Sequence, residues 1–404
     1  MKLITNYWKP LLSLLFGVAV MVFWALPYVS GLCYQEQLQM FLFDRHYFLE
    51  RIVLPGGLAD YLSEFLVQFY YMPALGAAMV GLLLMAIQGA VWGLMRQYGA
   101  KHDFPGYLLS FVPSIALWCF MGDPNVLLSF VVALWGALAM AWVHNCFHNR
   151  LVKVVFQLVS TALVYWLLGP VVFVYAALLM ADTLQRGKQK GALFSAFGYA
   201  AGILVLTIAW ILLTTQSLQY PMNRIFTGLN YYRYPGIIPS MQFVVMALAV
   251  IIPLLGMVQV KKPALLKLQQ NKVVMAGCYL LLIVAAFFGI KASFDEMTYG
   301  LIDYDFLVRT EQWNKIVDKA EKKQPTTPLG VSCVNLALSQ QGVLADRLFE
   351  FYQNGGEGLF PTFTRDMTSP VSTSEIFYRL GMVNDAERYM FEAQEAIPNY
   401  RKSS

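Results

Sequence analysis

Long apolar runs recur along this 404-residue chain, and most of its charges are gathered in the gaps between them. A helix needs roughly 20 apolar residues to cross the hydrocarbon core of a bilayer, where only helices and closed barrels leave no backbone group unpaired. Runs near residues 11–29, 73–95, 104–121, 126–143, 192–214, 239–260 and 273–290 therefore predict membrane-spanning helices. Charged residues make up 13% of the chain, about half the roughly 25% usual in soluble domains. A soluble globular fold is excluded. The first run has no small-residue cleavage site and is expected to stay as an anchor.

The run Val154 to Met180 admits either one long tilted helix or two short spans hinged at Gly169-Pro170. Proline removes a backbone donor and glycine eases a turn. Charge selects the hairpin, with spans near 154–168 and 170–181. A single span would carry Arg186, Lys188 and Lys190 to the outer side, against the excess of Lys and Arg expected in cytoplasmic loops. The resulting nine spans place Lys2, Lys9, Arg96, Lys101, Arg150, Lys153, Arg186, Lys188, Lys190, Lys261, Lys262, Lys267 and Lys272 inside, thirteen in all. The outer loops between spans hold only four basic residues, Arg45, Arg51, Arg224 and Arg233. The expectation is an all-α, polytopic transmembrane helical bundle over residues 1–291, with its N-terminus in the cytoplasm. In a bacterium that is the inner membrane, and the lipid bilayer is the first partner. The formal charge of +5 belongs to those loops and does not point to nucleic acid. Five cysteines show no paired spacing.

Between the first two spans lies a polar island, Cys33 to Met72. Eight acids precede residue 292, and five of them are here: Glu36, Asp44, Glu50, Asp60 and Glu64, beside Arg45, His46 and Arg51. The segment is amphipathic, with Leu38, Phe41, Leu42, Tyr47 and Phe48 suited to helices lying in the membrane interface. Pro55-Gly56-Gly57 reads as a hinge between two such helices. It lacks the Lys-Ser/Thr that would make it a phosphate loop.

The character of the chain changes at residue 292. From there to Ser404 it holds sixteen acids against eleven Lys and Arg, which predicts a soluble, net-negative segment outside the membrane. Its helices are expected in pairs. TEQWNKIVDKAEKKQP sets Trp313, Val317 and Ala320 on one face, and VNLALSQQGVLADRLFEFY turns at Gly342. In SEIFYRLGMVNDAERYMFEAQEAIP the positions Gly381, Ala386, Ala393 and Pro398 resemble the second half of a tetratricopeptide (TPR) repeat. Small residues there let antiparallel helices approach closely, and proline ends the unit. The resemblance implies a TPR-like periplasmic helical segment over 292–404, able to recruit a protein partner. No capping helix follows Pro398, as expected of a truncated repeat array.

Several residues carry a chemical reading beside a plainer one. Glu36 and Asp44, eight residues apart, would lie close to one face of a continuous helix. They could serve as a general base or a metal-binding acid at the interface, or be the solvated charges of an interfacial helix. Asp123, in the next outer loop, suits a divalent cation through its oxygen atoms, or caps the following span. Arg224 and Arg233 stand among Tyr220, Tyr231, Tyr232 and Tyr234. They would grip a phosphate, or anchor an aromatic belt. His144 and His148 have the i, i+4 spacing of a helical metal pair, or are ordinary interfacial residues.

An outer loop with early acids after the first span, a second outer loop with an acid, many spans and an outer soluble tail resemble GT-C type glycosyltransferases. That resemblance implies sugar transfer from a polyprenyl-phosphate donor. Glu36 or Asp44 would be the first-loop carboxylate, Asp123 the second-loop acid with a divalent cation, and Arg224 or Arg233 the phosphate grip. No DxD motif is present. The island segments EQLQMFLF and LPGGLADYLSEFLVQFYY, with the tail, also resemble an uncharacterised family of bacterial multi-pass inner-membrane proteins. The competing function is a non-enzymatic membrane scaffold whose tail binds an envelope protein.

Overall fold

A computed structural model describes residues 2–100, 103–189, 191–218, 222–228, 240–257, 272–362 and 369–396. These residues are helical almost throughout, with no strand among them. In chain order the helices are α1 (Lys2–Ala25), α2 (Val29–Leu38), α3 (Arg45–Ile52), α4 (Gly57–Val67), α5 (Pro73–Gln97), α6 (Asp103–Leu109), α7 (Val112–Phe120), α8 (Leu128–Cys146), α9 (Arg150–Leu168), α10 (Val172–Gln189), α11 (Leu193–Ser217), α12 (Met222–Thr227), α13 (Ser240–Leu254) and α14 (Lys272–Ser293). The tail adds α15 (Glu296–Arg309), α16 (Trp313–Lys322), α17 (Pro328–Gln340), α18 (Leu344–Arg347), α19 (Ser369–Arg379) and α20 (Val383–Ala396).

Among the described residues, seven helical stretches are long and apolar enough to cross a membrane. They are Trp8–Ala25, Pro73–Gln97, Leu128–Cys146, Arg150–Leu168, Leu193–Thr214, Ser240–Met257 and Val273–Ser293. The protein is thus a multi-pass membrane protein. The apolar window of Val273–Ser293 is only 6% buried within the chain, which leaves its surface to lipid.

The chain forms two compact units. The first comprises Met1–Val22, Phe41–Leu66 and Ala77–Phe294. Inside it, polar side chains satisfy one another between apolar helices, as low dielectric requires. Ser13 Oγ donates to Gln88 Oε1 at 2.6 Å and lies 2.6 Å from the Tyr107 hydroxyl, while Gln88 Nε2 donates to Ser110 Oγ at 2.8 Å.

Where the sequence suggested one span over 104–121, α6 and α7 are two shorter helices broken at Ser110-Phe111. Pro113 explains the break. It sits in the first turn of α7, where its missing N–H costs nothing, whereas within a continuous helix it would remove a bond and clash with the preceding turn.

Helices α9 and α10 form an antiparallel pair. Gly169 follows α9 at φ +82°, a conformation that a side chain disfavours, and the chain returns through α10. Ser160 and Tyr175 meet midway at 2.6 Å. At the far end Lys153 Nζ lies 3.0 Å from Asp182 Oδ2, and Arg186 Nε 2.9 Å from Asp182 Oδ1. With Asp182 neutralised from both sides, α10 continues to Gln189, so this acid lies inside a helix and not at its end.

The second unit comprises Phe23–Met40, Val67–Gly76 and Asp295–Ser404. Its centre is α17, buried on every side from Leu329 to Leu338. Thr327 caps it by accepting from the Gly330 N–H, and Pro328 begins its first turn. Helices α15, α16 and α19 pack around α17, and α20 pairs with α19. Phe377 stacks on Tyr389 with ring centroids 5.3 Å apart. Helix α2 covers α15: Tyr28 meets Tyr299 edge to face at 5.2 Å, and Gly31 passes close to the same ring. Gln68 Nε2 then donates to Gln39 O at 3.0 Å.

Candidate functional site

The polar island folds as two helices around a tight turn. Asp44 opens α3 as its N-cap, its carboxylate accepting from the His46 N–H at 3.0 Å. The helix ends at Ile52, and Pro55-Gly56-Gly57 reverses the chain into α4. Gly57 is there because the backbones touch: a Cβ on it would stand 1.9 Å from the Arg51 carbonyl oxygen. The turn is fastened to the end of α9. Trp166 Nε1 donates to Ile52 O at 2.8 Å, and the Gly56 N–H donates to Trp166 O at 2.9 Å.

The faces that α3 and α4 bury against each other are polar. Tyr47 and Arg51, one turn apart, meet Asp60 and Glu64, while the buried Ser63 hydroxyl donates to the Asp60 carbonyl within α4. Arg51 grips Glu64 with two bonds, Nη2 to Oε1 at 2.6 Å and Nε to Oε2 at 3.1 Å. The Tyr47 hydroxyl donates to Glu64 Oε2 at 2.5 Å and accepts from Arg51 Nη2 at 2.8 Å. Asp60 Oδ2 stands 4.0 Å from Arg51 Nη1. Asp60 is 7% exposed and Glu64 2%. Tyr61 closes the cluster from outside, its ring 5.0 Å from those of Phe41 and Phe48.

One guanidinium therefore serves two buried carboxyls. Burial raises the pKa of Asp60 well above the ordinary carboxylate value, with Arg51 opposing. Burial also raises Glu64, and the neighbouring charge of Asp60 adds to the rise against Arg51 and the Tyr47 hydrogen bond. The two titrate as a pair: burial makes the first ionisation harder than for a free carboxyl, and repulsion between like charges then holds a proton on the second. Such a pair can both accept and return a proton near neutrality.

Asp44 is exposed and engaged as a helix cap. Glu36 is half-buried in α2 and belongs to the second unit, whereas Asp44 belongs to the first. No continuous helix joins them, because Gln39 leaves α2 in extended backbone. Asp123 Oδ1 accepts from the Asn125 N–H at 3.0 Å and shapes a turn, while the cap position of α8 falls to Leu127. Arg224 lies in α12 with its side chain outside the described residues, and Arg233 lies outside them altogether. His144 is buried near the end of α8, while His148 falls beyond that helix and loses the i, i+4 relation. Among the described residues no group of three or more His, Cys, Asp or Glu could hold a metal ion.

Over residues 4–404 the sequence matches a family described as a family of unknown function, DUF6057. The chain belongs to this family. No curated protein and no solved structure matches it. In this DUF6057 protein Tyr47, Arg51, Asp60 and Glu64 form one buried polar cluster. The sequence carries a signal for it: two i, i+4 polar pairs, Tyr47/Arg51 and Asp60/Glu64, on either side of a Pro-Gly-Gly turn. The pairs become one site only once the turn folds them together.

Proposed function

We propose that this protein is a membrane-embedded transferase, similar in arrangement to GT-C glycosyltransferases, whose proton acceptor is the Asp60–Glu64 pair. The observation that supports the reading is the surplus acid. A structural ion pair needs one carboxylate for Arg51, and Glu64 provides it. Burying a second carboxyl costs several kcal/mol unless it is matched, and such surplus acids concentrate at functional sites.

In this reading the ionised carboxyl takes the proton of an acceptor hydroxyl. The freed oxygen attacks the anomeric carbon of a sugar held on polyprenyl phosphate. The bond between that carbon and the phosphate oxygen breaks, and the lipid phosphate leaves with the electron pair. Arg224 and Arg233 would hold the phosphate, while Asp44 and Asp123 would line the outer approach. The same proposal assigns nine spans in a bacterial inner membrane, N-terminus inside, with a periplasmic TPR-like tail from residue 292.

Native mass spectrometry of the gently purified protein tests it. A co-purified polyprenyl phosphate is expected, lost in the Arg224→Ala, Arg233→Ala double variant and retained in Asp60→Asn. Finding only bulk phospholipid, unchanged by either substitution, would overturn the proposal.

A second reading, a scaffold that recruits an envelope protein through the tail, draws on exposed aromatic residues there, Phe349, Phe360, Tyr378 and Phe391. It expects full function after Asp60→Asn and loss after disruption of the helix pairs.

A further inference from the structure

The hairpin α3–α4 is built inside out. Its buried faces carry a guanidinium, two carboxyls, a phenol and a hydroxyl, while Leu49, Val53, Leu62 and Phe65 are exposed on its outer surface. Leu42 and Phe43 extend that surface just before α3. In water the hydrophobic effect drives the opposite arrangement, with apolar groups inside. An element that buries a charged cluster between its helices and exposes aliphatic side chains on its outer surface is matched to an apolar surrounding.

Its location agrees. Trp166, which holds Ile52 and Gly56, lies near the end of Arg150–Leu168, one of the helices long enough to span. A tryptophan at the end of a span sits at the boundary between headgroups and acyl chains. The tip of the hairpin is thereby fixed at that depth. The exposed polar residues Arg45, His46 and Glu50 are gathered on α3 before the tip, where headgroups can solvate them.

We propose that α3–α4 is a membrane-inserted hairpin, with Phe43, Leu49, Val53, Leu62 and Phe65 seated in lipid although hydropathy counts the segment as a loop. The occupant of this apolar face is the bilayer itself. The carboxyl pair is then enclosed by protein on one side and acyl chains on the other, so its partners approach through the plane of the membrane. That last step rests on the transferase reading, whereas the insertion does not.

Hydroxyl-radical footprinting of the unmodified protein in phospholipid nanodiscs decides the matter, read by mass spectrometry. Phe43 is 89% exposed within the chain and Phe349, in the tail, 87%. The two phenylalanines thus differ in surrounding and not in cover by the chain. Oxidation of Phe43, Leu49 and Val53 is expected to fall about tenfold below their rates in the denatured chain, because hydrocarbon excludes the water that yields the radical, with Phe349 close to its denatured rate. Oxidation of Phe43 and Val53 as fast as Phe349 would overturn the insertion. The readout involves neither the lipid phosphate nor Asp60, so either proposal can fail while the other stands.

Discussion

At the scale of the residue, the unusual fact is the ratio of two buried carboxyls to one arginine. Removing Glu64 takes away two hydrogen bonds of the Arg51 guanidinium and the acceptor of Tyr47. Truncating one partner of a buried pair typically costs about 3–5 kcal/mol, so Glu64→Ala should lower the thermal midpoint of the purified protein sharply. The surplus acid gives a different signature. Both carboxyls have raised pKa values in the fold, so the folded state binds more protons than the unfolded chain at intermediate pH. Their contribution to stability is complete below the ordinary carboxyl pKa of about 4, and it declines as pH rises through the raised values. Asp60→Asn removes one titrating group and the like charge beside Glu64. Unfolding measured from mildly acid to mildly alkaline pH should then show a flatter decline for the variant, with higher stability than the parent at the alkaline end. An unchanged slope would mean that Asp60 does not titrate with a raised pKa in the fold.

At the scale of the element, the α3–α4 hairpin depends on a contact that has no chemical function. Gly57 lets the start of α4 lie against the carbonyl of Arg51. With its Cβ 1.9 Å from that oxygen, Gly57→Ala must push the helices apart. Overpacking of this kind costs about 1–3 kcal/mol, and here it also stretches the Arg51–Glu64 bonds. Hydrogen exchange should rise in both α3 and α4 while α8 and α9 keep their protection; an effect confined to the turn would count against the coupling. The same element shows what a sequence can convey. Span-length apolar runs are legible because hydropathy is a local property, and the break between α9 and α10 is legible from Gly169-Pro170 and the charges beyond it. Five acids in the island are equally visible, and a spacing of eight residues favours Glu36 and Asp44 as neighbours on one face of a continuous helix. The pair that meets an arginine is Asp60 and Glu64. Which acid faces Arg51 is decided by the reversal at Gly56-Gly57, and no count of residues along a single helix reveals it. The split of 104–121 at Pro113 follows the same logic, since one proline there outweighs an otherwise continuous apolar run.

At the scale of the molecule, the chain divides near the change of hydropathy at residue 292, but not only there. The second unit takes Phe23–Met40 and Val67–Gly76, from either side of the island, together with everything after Asp295. Helix α2 supplies part of that unit's core: Leu32, Tyr34 and Leu38 are fully or nearly fully buried, and Tyr299 and Ile302 of α15 are covered in turn. A change in α2 should therefore be felt nearly three hundred residues away in sequence. Gly31 is the sensitive point, since a Cβ there would come within 2.9 Å of Tyr299 Cε1 and 3.3 Å of the Trp24 ring. Gly31→Leu is expected to displace α2 from α15 at a cost of about 1–3 kcal/mol. Hydrogen exchange on the full-length protein should then speed up along α15 and in α17 behind it, while the α9–α10 pair, held by Asp182 and by Ser160–Tyr175, stays protected. Uniform loss of protection in both units would instead make the chain one cooperative body. Selective loss in α15 and α17 would establish that the segments flanking the first loop fold with the tail, so that contacts distant in sequence, besides hydropathy, set the boundary between the two units.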